Sequence, residues 1–190
     1  MLALARATAI VGGLVLTALI VLVCLSVAGR GGNTLAHAPW LREVAPGLAE
    51  ALLASGVGPI NGDFELVEAG IAFVVFACLP LCQITGAHAT VDVFTARLPR
   101  PLVRAIVAFW EIVLAGLIVL IAWQLAQGML GKMRVGETTY LIEFPVWWAY
   151  AASLAAALVA VVVALWCAAA RVVALVSGAD HLPRPEGAVH

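Results

Sequence analysis

The sequence predicts an all-α integral membrane protein: four transmembrane helices, short amphipathic interfacial helices between them, and both termini in the cytoplasm. Three observations lead there. Hydrophobic residues make up 64% of the 190-residue chain and charged residues 11%, with a mean hydropathy of +1.10. A soluble domain cannot bury that much apolar surface. Four apolar runs also reach the roughly 20 residues needed to cross ~30 Å of hydrocarbon, and proline, glycine and polar residues collect in the stretches between them. The net charge of −1 gives no basic footprint for nucleic acid.

The first run, 7–28, follows Arg6 and carries no charge. Ser26-Val27-Ala28 resembles a signal-peptidase site. The apolar core of a signal peptide is only about 7–15 residues, however, so the run reads as a retained helix. From Arg30 to Asp63 the chain is more polar. Within this interlude 39–44 and 48–53 form two short interfacial helices, with Trp40 suited to the headgroup region. The second span, 64–85, opens on Asp63, Glu65 and Glu68. These acids either cap the helix and complement its positive end or meet a partner outside. Pro80 should kink this helix.

Between the second and third spans, 86–99 places Val91, Phe94 and Leu98 at helical spacing, with Asp92 and Arg97 off that face. It reads as a short surface-lying amphipathic helix or as a polar turn. The third span, 102–128, starts after Pro99 and Pro101, and the fourth, 145–170, starts at Pro145. Trp147, Trp148 and Tyr150 form an aromatic belt at one end of the fourth span, and Trp166 marks the other. Residues 1–176 make up the membrane domain and 177–190 a flexible cytoplasmic tail. Arg97, Arg100 and Arg104 cluster in one connection, which sets that side as cytoplasmic.

Glu111 is the acid that falls well inside a predicted span. An intramembrane charge is costly and marks a site by default. Its candidate partners are Arg104, Gln83 and Arg171; ion handling and simple protonation are the alternatives. Gln124 and Gln127 read as interhelical hydrogen-bonding groups. On the fourth span Ala152, Ala156, Ala160, Ala164 and Ala168 recur every four residues, a small-residue ridge that lets another helix approach closely. The alternative is simple richness in alanine. Cys24, Cys78, Cys82 and Cys167 all lie in apolar runs without a CxxC pair, as small packed side chains do. The sparse histidines, His37, His88, His181 and His190, offer no axial haem pair. No phosphate loop, nucleophile elbow or metal-ligand spacing is present. No catalytic residue, cofactor or metal site is therefore expected. A redox protein using the cysteines or haem, or a small oligomeric channel, is a weaker reading.

Several motifs in fixed order carry a resemblance. They are Gly62-Asp63-Phe64-Glu65-Leu66-Val67-Glu68, then Leu79-Pro80 with Gln83, then Gly86-Ala87-His88 with Val91-Asp92-Val93-Phe94-Thr95. Gly136-Glu137-Thr138-Thr139 follows, leading to Phe144-Pro145-Val146-Trp147-Trp148-Ala149-Tyr150. The chain resembles the small membrane subunit, of DctQ type, of tripartite ATP-independent periplasmic (TRAP) transporters. Where many members carry a basic residue before the Gly-x-His step, this chain has Gln83 and Thr85. The resemblance implies a separate large membrane subunit that binds substrate and sodium and moves as an elevator. It also implies a periplasmic binding protein that delivers an organic acid, and a bracing role for the small subunit in the inner membrane. On that reading the partner-interface candidates are Glu65, Glu68, His88, Asp92, Glu111, Pro145, Trp147, Trp148, Ala156 and Ala160.

Overall fold

The computed structural model describes residues 1–56, 58–85 and 99–177. Residues 86–98 of the 86–99 stretch, with His88 and Asp92, and nearly all of the tail thus lie outside the described residues. Among the described residues six helices follow one another: α1 (Leu2–Ala36), α2 (Pro39–Val44), α3 (Pro46–Ala54), α4 (Asp63–Thr85), α5 (Arg100–Val135) and α6 (Val146–Ser177). Four of them, α1, α4, α5 and α6, are long and apolar enough to cross a membrane.

These helices overrun the apolar spans. At 1.5 Å per residue α1 is about 52 Å long, well beyond the hydrocarbon. The physical reason is that polar residues end the membrane-crossing part of a helix without ending the helix. That takes a backbone breaker. In α1 the helix continues through Arg30 to Ala36 and closes at His37, whose N–H and ring Nδ1 both engage the carbonyl of Asn33. Pro39 and Pro46 then open α2 and α3 at first-turn positions that lack a hydrogen-bond duty. α5 runs on to Gly136, which adopts φ +67° and donates its N–H to Lys132. That left-handed conformation favours glycine and terminates the helix.

The four long helices stand in a row, not in a closed bundle. α1 packs on α4, α4 on α6, and α6 on α5. The connections 37–62 and 136–145 lie together at one end, hereafter the loop end. Ala5, Gly12, Leu19 and Ser26 recur every seven residues on α1 and form its seam toward α4. A Cβ at Gly12 would meet Ala77 at 2.9 Å, and Leu19 lies against Gly70. Ser26 is buried.

Helix α6 lies between α4 and α5 and also meets the start of α1. Val163 and Cys167 join Ala5 and Ile84 in one buried cluster, while Ala160, Ala164 and Ala168 join Ala115 and Ile118 in another. The alanine ridge is therefore real from Ala156 to Ala168, and it packs inside the chain. Ala152 is exposed, because four residues advance a helix by 400° and each step turns the ridge by a further 40°. Close approach of small side chains takes the place of a hydrophobic drive that lipid does not supply.

Candidate functional site

At the loop end, two acids of α4 tie three parts of the chain together. Asp63 accepts hydrogen bonds from Ser26 Oγ (2.5 Å), Arg30 (3.0 Å) and the Phe64 amide (2.8 Å). Ser26 also accepts the Ile60 N–H at 3.3 Å. Asp63 is the first residue of α4, not the residue before it, and its side chain takes the Phe64 N–H while acting as a clamp on α1. The expected capping bond to the second or third helical N–H is not seen among the described residues. Glu65 reaches the other way: its two carboxylate oxygens accept the N–H groups of Leu141 (2.7 Å) and Ile142 (3.1 Å). Beneath this clasp Gly62 holds φ +79°, and a Cβ there would fall 2.2 Å from Ile142 Cγ1. Both the dihedral and the contact require glycine.

The clasped loop is internally closed. Thr139 donates its N–H to Phe144 O, Phe144 returns its own to Thr139 Oγ1, and Val146 donates to Glu137 O. Lys132 pairs with Glu137 at 2.6 Å. Pro145 is half-buried in a bridge with Thr138. Trp147 is half-buried and Trp148 exposed; Trp148 meets Trp147 and Phe144 edge-on at 5.7 and 6.0 Å. Glu65 is thus engaged within the chain. Glu68 is exposed and makes no hydrogen bond or ion pair among the described residues.

At the opposite end Glu111 is buried, and Gln83 Nε2 donates to its carboxylate at 2.5 Å. Gln83, one of the partners expected for Glu111, is thus bonded to it. Cys167 lies within electrostatic reach of Glu111 and Arg171. The register of α5 against α6 also revises the depth of this acid. Gly128 lies against Tyr150, and Ala115 and Ile118 pack with Ala160 and Ala164. With the helices antiparallel at equal rise, Trp148 is level with about residue 130 and Trp166 with about residue 112. Glu111 is therefore about level with Trp166 of α6. The span read from the sequence, 102–128, instead put it nine residues, about 14 Å, past the start of the crossing.

Structure and sequence part company at several positions. Ala156 and Ala160, 5% and 1% exposed, face helices of the same chain, so they and Glu111 sit in the interior and not on a surface open to a partner. Ser26 and Arg30 were legible only as an i, i+4 pair straddling the end of an apolar run. Among the described residues Gln124 and Gln127 make no bond between helices: both are exposed on α5. The four cysteines are free, Cys24 exposed and Cys167 buried. Among the described residues no group of three or more His, Cys, Asp or Glu side chains could hold a metal ion. A shallow cleft of about 580 Å³ opens at the loop end beside Arg30, Asn33, Thr34 and His37.

Four long apolar helices joined by internal polar ties define a multi-pass integral membrane protein. Residues 48–176, more than half of the chain, match the family described as "Tripartite ATP-independent periplasmic transporters, DctQ component". The chain belongs to that family: it is a small membrane subunit of a TRAP transporter, a transport component and not an enzyme. No curated protein and no solved structure matches it.

Proposed function

We propose that this chain is a non-catalytic scaffold that braces a separate, large, elevator-type membrane subunit during ion-coupled uptake of an organic acid. A periplasmic binding protein delivers the acid, the complex resides in the bacterial inner membrane, and both termini of this chain are cytoplasmic. The observation that carries the proposal is the use made of the polar groups. Asp63, Glu65 and Glu111 each bond to another segment of the same chain, so they stiffen the helix row instead of lining a path for substrate. A neighbour that slides needs something fixed to slide against, and a row of helices offers two broad apolar faces and two edges.

In this reading Glu68, Pro145, Trp147 and Trp148 at the loop end, and His88 and Asp92 in the 86–99 connection, contribute to partner contact or to orientation in the lipid bilayer. The test is purification from native membranes in mild detergent, with mass spectrometry of what accompanies the chain. One large polytopic subunit at equal stoichiometry is the expected result. Recovery of this protein alone, as a stable monomer or homo-oligomer, would sink the proposal.

A further inference from the structure

The two edges of the helix row differ. On α5 the buried positions Ala108, Glu111, Ala115, Ile118 and Ala122 form the stripe that faces α6. At 100° per residue the opposite side carries Gly116, Leu120, Gln124, Gln127 and Gly131. Leu120 and both amides are exposed, and a Cβ at Gly116 or Gly131 would meet nothing within 4 Å. Taking Trp148 as the ruler, Gln124 lies about 9 Å and Gln127 about 4 Å below the aromatic belt, inside the apolar layer. Neither amide has a hydrogen-bond partner among the described residues. Each offers two N–H donors and a carbonyl acceptor, and hydrocarbon can satisfy none of them. The α1 edge differs in this respect. Its polar side chains Thr8 and Thr17 bond back to carbonyls of their own helix, and Leu14 and Val21 on the outer side are exposed and apolar.

We infer that the outer edge of α5, centred on Gln124 and Gln127, is where a membrane-spanning helix of the large partner subunit docks. That helix supplies hydroxyl, amide or free carbonyl groups at the depth of the two glutamines. The flanking glycines permit the close approach that interhelical hydrogen bonds need. This inference rests on the scaffold reading above and adds the edge and the chemistry of the contact.

A photo-crosslinking side chain placed at Leu120, in membranes of the native host, is expected to join the chain to a spanning segment of the large subunit. The same side chain at Leu14 on α1 is expected to give no such product. Replacing both glutamines by leucine should lower recovery of the large subunit by about threefold to tenfold, while Gln124→Asn keeps it. If the wild-type chain recovers no large subunit, the scaffold reading itself fails. If it does recover one, but Leu120 joins only lipid or a second copy of this chain, or Leu14 joins the large subunit instead, the edge assignment alone is overturned. The crosslink reports position without altering the amides, so it decides the matter even if the double variant is poorly made.

Discussion

Gln83 and Glu111 are joined by a 2.5 Å hydrogen bond although their helices, α4 and α5, are not neighbours in the row. The bond links α4 directly to α5 at about the level of Trp166, and because α6 packs on both it makes three helices into a unit there. At the loop end, Glu65 and Asp63 do the same for α1, α4 and the α5–α6 connection. The row is thus fastened at both ends, with small-residue packing between.

Replacing Gln83 by leucine removes the donor and leaves a carboxylate buried. The expected loss is about 1–3 kcal/mol, read as a lower midpoint of thermal unfolding in detergent. Glu111→Gln in the same background removes the stranded charge and should recover part of the loss. An unchanged midpoint for Gln83→Leu would show that the tie contributes nothing.

Glu65→Ala should free the amides of Leu141 and Ile142. Hydrogen bonds to a charged acceptor are worth about 1.5–3 kcal/mol, so exchange at these two amides should quicken by about tenfold or more. Glu68→Ala is the control: that side chain bonds to nothing described, and the same amides should not respond. Equal exchange in both variants would remove Glu65 from the clasp.

Gly62→Ala meets two obstacles, a positive φ and the side chain of Ile142. A residue held in such a backbone region costs about 1–3 kcal/mol, and the clash adds to it. Adding Ile142→Ala should relieve the clash and leave the backbone strain. A full rescue would mean that the dihedral is not strained.

Along the alanine ridge, position decides the outcome of one substitution. Ala160→Leu forces a branched side chain between α5 and α6, an overpacking worth about 1–3 kcal/mol. Ala152→Leu points outward and should leave the unfolding midpoint unchanged. Equal effects at the two sites would contradict the register of α6 given above.

Fold class, the number of crossings, α2 and α3, and the family were all legible in the sequence. Length and hydropathy set the crossings, proline and glycine set the breaks, and local order within motifs carried the family. Some of the site was legible too: acids opening α4 and Gln83 beside Glu111. The tertiary structure alone decided that the helices form a row, that Ala156 and Ala160 are used internally, and that Glu111 is level with Trp166. It also decided that Gln124 and Gln127 face away from the chain. The reason is physical. In a water-soluble helix the buried face is apolar and the other polar, so periodicity reveals direction. In a membrane helix lipid-facing and core-facing positions are both apolar. A sequence then shows which segments cross and where they break, while the way each helix turns follows only from packing against its neighbours.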